Sequence, residues 1–72
     1  MAITQSDLDH WFSYHKPEGD QGVRYEQIRS AARDFAQTIL TLTPPSADQT
    51  VAIRKIREAV MIANASIACG GR

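Results

Sequence analysis

One cysteine, Cys69, stands in a chain of 72 residues, so neither an internal disulfide nor a multi-cysteine zinc site is available to staple it. Charge of one sign is not in excess, because eight Lys and Arg balance eight Asp and Glu. A general nucleic-acid binder normally carries a clear basic surplus, which sets DNA and RNA aside as partners. No apolar run reaches the ~18–20 residues of a membrane span, and no membrane partner is expected. The first residues show no basic-then-apolar export pattern, so a cytoplasmic location is the expectation. No serine sits in a nucleophile-elbow pattern, no phosphate loop is present, and no carboxylate pair is isolated in an apolar stretch. Catalysis, and with it any cofactor, is therefore not expected.

What is present is an ordinary globular composition, 43% hydrophobic and 22% charged, in a length that suits one domain spanning 1–72. A domain of this size buries only ~60% of its unfolded surface, and such folds often gain the missing core by self-association. There is no internal repeat and no long linker. Punctuation falls at 15–22, where Pro17, Gly19, Asp20 and Gly22 argue against continuous helix. It falls again at Pro44-Pro45, which lacks amide donors and forces its predecessor out of the helical region.

Three segments result: 1–14, 23–43 and 46–69. In the middle one, Tyr25, Ile28, Ala32, Phe35, Ile39 and Leu42 recur at helical spacing, with Asp20 as the expected N-cap. The last opens on Ser46-Ala47-Asp48-Gln49, a capping-box pattern, and carries a seam of Ile53, Ile56, Val60, Ala63 and Ile67 before Gly70-Gly71 stops it. The first holds a shorter helix near 6–13, capped by Thr4 or Ser6. The expected fold class is all-α: a short N-terminal helix followed by a two-helix antiparallel hairpin.

Residues 59–69 are apolar or small on nearly every face. A helix apolar all round needs cover on more than one side, and copies of the same chain are the expected cover. The alternative is that the N-terminal helix shields a monomer. Asn64, polar within this stretch, is expected to set helix register by hydrogen bonding across an interface.

Chemistry-bearing residues cluster around the first loop. Arg29 and Arg33 lie four apart, on one helix face, and a guanidinium pair suits a compact phosphate ligand. The competing reading is a solvated surface on which they pair with Glu26 and Asp34. Trp11, Phe12, Tyr14 and Tyr25 flank the same loop. Trp11 and Phe12 read as pins holding the short helix to the hairpin. Tyr14, with polar neighbours, reads as a residue that stacks on a base. His10 and His15 lack a third ligand nearby in sequence, so a metal site is not expected, and Cys69 reads as a small buried residue.

The runs Phe12-Ser13-Tyr14-His15-Lys16-Pro17, Gly19-Asp20-Gln21, Arg24-Tyr25 and Ile28-Arg29 resemble the phage anti-CBASS sponge proteins, whose helical hairpin is shared with phage anti-Thoeris sponges. Residues 42–53 and the block Glu58-Ala59-Val60-Met61 onward to Ala68 carry the same likeness, which covers about 10–68. The resemblance implies a helical homohexamer in the cytoplasm of the infected bacterial host. Its members catalyse nothing and sequester cyclic oligonucleotide messengers such as 3′,3′-cGAMP. It implies a cyclic dinucleotide held by Tyr14 on a base and Arg29 on phosphate, in a pocket between protomers, with His15, Lys16, Arg24 and Arg33 as neighbouring ligand-binding candidates. Cys69-Gly70-Gly71 departs from the family where members hold cyclic trinucleotides near a threefold axis. Cyclic ADP-ribose-type signals and a plain protein-interaction module are the alternatives.

Overall fold

A computed structural model describes residues 2–72, and among these the chain is all-helical: α1 (Gln5–Trp11), α2 (Gln21–Leu42) and α3 (Ala47–Ala68). The long pair, α2 and α3, packs as the antiparallel hairpin. Each boundary has a local cause. Thr4 caps α1 in a full capping box: its hydroxyl accepts from the Asp7 amide at 3.2 Å, while Asp7 Oδ2 accepts from the Thr4 amide at 3.0 Å. Ser6, the alternative cap, lies within the first turn.

Asp20 does occupy the N-cap of α2, but its carboxylate makes no capping bond and instead faces Arg24 at 3.2 Å. Gly22 falls inside the first turn of α2, so the irregular loop is shorter than its composition suggests and ends at the left-handed Gly19, φ 54°. At the hairpin turn, the Ser46 hydroxyl accepts from the Gln49 amide at 3.1 Å. The Gln49 side chain does not close a reciprocal box. It reaches back across the turn and donates to the Thr43 carbonyl and hydroxyl, both at 3.1 Å, tying the end of α2 to the start of α3. Past α3, Gly70 (φ 64°) and Gly71 (φ 80°) turn the chain, with the Gly71 amide on the Ser66 carbonyl at 2.9 Å.

All five expected seam residues of α3 are half-buried. In α2 the seam departs from expectation: Phe35 is 56% exposed and Leu42 76% exposed, while Ala36 and Thr43 take the half-buried places. A nearly straight α-helix keeps 3.6 residues per turn, so a seven-residue repeat drifts off the contact line after two turns. Phe35 is carried to the flank, onto a broad apolar groove with Ala31, Ala59 and Ala63.

No described residue is fully buried. The chain exposes 5789 Å², where a compact monomer of 8.0 kDa exposes about 4,500 Å². Its radius of gyration is 15.5 Å, against about 11 Å for a compact domain of this length. The hairpin is a two-helix layer with apolar surface on both faces.

α1 does not cover the far face of α3. It docks on the turn that follows it: His10 Nε2 donates to the Cys69 carbonyl at 2.9 Å, and Trp11 Nε1 donates to the Arg72 carbonyl at 2.7 Å. Trp11 pins the short helix as expected. Phe12 does not, being 84% exposed, because one residue step along a helix turns successive side chains by ~100° and only one of the two rings can face the hairpin.

Candidate functional site

The face of the hairpin opposite the Phe35 groove is built by two i,i+4 pairs. Arg29 and Arg33 project from α2, and Arg57 stands on α3 between Ile53 and Met61 at the same spacing. Together the three arginine side chains line, with Ala32, Ala36, Ile53, Ile56, Val60 and Met61, a mostly apolar groove of about 310 Å³, to which they present chiefly their alkyl stems. All three arginines are exposed. Among the described residues none of them makes an ion pair, whether with Glu26, Asp34 or any other acid. The solvated surface of that competing reading is observed, and its pairing with Glu26 and Asp34 is not. Glu26 and Asp34 line a different groove, with Val23 and Ser30.

Positive charge held over an apolar floor suits a ligand that is itself a flat ring joined to phosphate. Guanidinium forks meet phosphate oxygens two at a time, and the alkyl floor takes the ring. Arg57 was the member that sequence reasoning passed over. Its signal was the register Ile53-Arg57-Met61, which turns an arginine toward the side where Arg29 and Arg33 already lie.

The loop side of the site is arranged differently. Tyr14 is 85% exposed and does not line the arginine groove of its own chain. Lys16 is exposed, with no ion-pair partner among the described residues. Arg24 is engaged by Asp20. His15 is half-buried, its Nε2 donating to the His10 carbonyl at 2.6 Å, so its ring supports the loop from within. At the chain's other end, the Arg72 guanidinium is held by the Ser6 hydroxyl at 2.5 Å and by Asp7 at 3.6 Å. Those bonds occupy the basic group nearest the end of α3.

Cys69 is not a fully buried small residue. It is half-buried, and one ring nitrogen of His10, one of His15 and the Cys69 sulfur lie within 4.8 Å of one another. The two imidazole rings meet edge to face at 4.8 Å. Nothing in the spacing 10, 15, 69 announces this; docking of α1 on the final turn creates it. Asn64 Oδ1 is buried without a hydrogen-bond partner among the described residues.

A two-helix layer preceded by one short helix defines a small helical-hairpin module, on which three arginines without ion pairs among the described residues and an exposed Tyr14 are displayed. Residues 4–68 match the family model described as "Acb2/Tad1, hairpin domain", and the chain belongs to that family, the anti-CBASS and anti-Thoeris sponges of phages. These are sequestering proteins for cyclic oligonucleotides rather than enzymes. Neither the curated proteins nor the solved structures contain a match to the chain. No described helix is long and apolar enough to cross a membrane.

Proposed function

We propose that this chain assembles with copies of itself and sequesters cyclic dinucleotide messengers of CBASS immunity, such as 3′,3′-cGAMP, without cleaving them. One copy contributes Tyr14, which stacks on a base, and a neighbouring copy contributes Arg29, which meets phosphate. Arg33 and Arg57 extend the phosphate-binding rim, with His15, Lys16 and Arg24 around the loop. A homohexamer is the assembly implied by the resemblance.

The observation that carries this reading is the separation of the two halves of the chemistry. Three arginines without ion pairs among the described residues line one apolar groove, while the exposed aromatic suited to a base is not among the residues that line it. Two copies bring the halves together. The excess of about 1,300 Å² over a compact monomer also exceeds the ~800 Å² that a partner buries in a standard interface. A neutral chain is no obstacle, since a ring with two phosphates needs a few aimed arginines rather than a broad basic stripe.

Calorimetry with a panel of 3′,3′-linked cyclic dinucleotides, cyclic trinucleotides and a cyclic ADP-ribose-type signal tests the ligand, with light scattering for assembly mass. Binding of a cyclic dinucleotide to a multimer, with intact nucleotide recovered on denaturation, is the expected result. Absence of binding to every dinucleotide at micromolar protein overturns it. Heat from the ADP-ribose-type signal or the trinucleotide alone transfers the function to that ligand.

A further inference from the structure

His10, His15 and Cys69 form a donor set outside the arginine groove and the displayed Tyr14, and we propose that they bind a Zn²⁺ ion that clamps the Tyr14 loop to the end of α3. The three residues come from three places: the last turn of α1, the loop after it, and the C-cap of α3. One donor atom from each lies within 4.8 Å of the other two. Donors bound to one tetrahedral zinc at about 2.0–2.3 Å stand roughly 3.5 Å apart. A closure of about 1 Å, within reach of small side-chain rotations, completes that spacing.

A second observation concerns protonation. His10 Nε2 lies 2.9 Å from the Cys69 carbonyl, and His15 Nε2 lies 2.6 Å from the His10 carbonyl. A carbonyl oxygen only accepts, so each Nε2 must carry the proton. That bond leaves Nδ1 of each ring as the nitrogen with which a metal ion would be bound, its proton being displaced where it carries one. Imidazoles whose second nitrogen donates to a backbone carbonyl are the usual outer arrangement of a metal site, because that bond fixes tautomer and ring orientation. Here the two carbonyls belong to members of the cluster itself, so the donors hold one another.

The chemistry of the set selects the ion. Two imidazoles and one thiolate suit zinc among common divalent ions, whereas hard cations prefer oxygen. Three protein donors leave the fourth position to solvent. Tyr14 precedes His15 directly, so an ion spanning His10, His15 and Cys69 fixes the first part of the loop, from the end of α1 to its midpoint, against the end of α3. The site stands independently of the ligand; its consequence for base stacking rests on the sponge reading.

Co²⁺ replaces Zn²⁺ as a spectroscopic probe on the full chain without nucleotide. One equivalent per chain, a thiolate-to-cobalt band in the near ultraviolet, and displacement by zinc are expected. The Cys69→Ser variant, checked by circular dichroism for unchanged helix content, loses the band and at least tenfold in affinity. His15→Ala weakens binding by a similar factor. Cobalt uptake without the thiolate band, or an unaltered spectrum in C69S, overturns the site. Zinc should also slow amide exchange in residues 13–19. Bound zinc that leaves that exchange unchanged overturns the clamp. Each readout precedes any nucleotide, so a chain that binds zinc but no cyclic dinucleotide separates this proposal from the sponge.

Discussion

Among the described residues Tyr14 makes no ring contact with another aromatic and no hydrogen bond, and its exposure of 85% is a cost unless a ligand covers it. Replacing it with alanine removes stacking worth ~1–3 kcal/mol per base. That corresponds to a roughly 5- to 150-fold weaker Kd by calorimetry, with assembly mass unchanged. The same loss with a change in mass would make the ring an interface residue instead. Arg57 has the converse position, on the groove but far from the loop in sequence. Arg57→Ala deletes a charge-assisted contact of ~1.5–3 kcal/mol. Affinity should fall and its salt dependence flatten, because fewer charges meet the phosphates. Unchanged affinity in R57A would confine the phosphate site to α2.

Among the elements, α1 is the one held by polar bonds rather than apolar packing. The Thr4 amide and then the Thr4 hydroxyl, with Arg72 adding its charge, hold the Asp7 carboxyl below its ordinary value of 3.8. A carboxylate with a lowered folded pKa stabilises the fold above its unfolded value, and that contribution fades as pH falls through the folded one. The α1 cap should therefore loosen below about pH 4, before α2 and α3 respond, and Asp7→Asn should remove that step from an amide chemical-shift titration of residues 4–8. A titration in D7N identical to that of the parent contradicts the assignment. The hairpin turn has its own polar tie. Gln49→Ala frees the Thr43 carbonyl and hydroxyl to water and should cost about 1 kcal/mol in thermal unfolding, with ligand affinity intact.

The two long helices were legible because proline, serine and glycine mark their ends in ways the backbone enforces. The α3 seam was legible for the same reason. The α2 seam was less so: a repeat of spacings 3 and 4 fits both a heptad and a straight helix over two turns, and only packing against α3 chose Ala36 over Phe35. Of the proposed site, Tyr14, Arg29 and Arg33 are suggested locally by spacing and neighbours. Arg57 required the hairpin's pairing, and the His10–His15–Cys69 cluster required contact between the two ends of the chain. Residues joined only by tertiary docking leave no period or motif to detect.

For the whole molecule, the decisive fact is that 43% of the residues are hydrophobic and none described is fully buried. The Phe35 groove, about 590 Å³ and lined by alanines that admit a close neighbour, is the seat for another copy in the proposed assembly. With that face covered in the proposed assembly, the arginine groove on the reverse side and the exposed Tyr14 are left for the shared ligand that the proposal requires. A site divided in this way has a signature that no single-chain site has. In Tyr14→Ala, the copy keeps its arginines; in Arg29→Ala, it keeps its phenol. Neither variant alone should bind a cyclic dinucleotide well.

Co-expressing the two variants in equal amounts and titrating the purified mixed assembly is the most direct test. If each pocket takes Tyr14 from one copy and Arg29 from another, about a quarter of the pockets regain both residues by random pairing across heterologous interfaces. Calorimetry should then find that fraction of sites at parental affinity. A mixed assembly of parental mass that binds no better than either variant would place both residues in one chain's pocket and contradict the shared site.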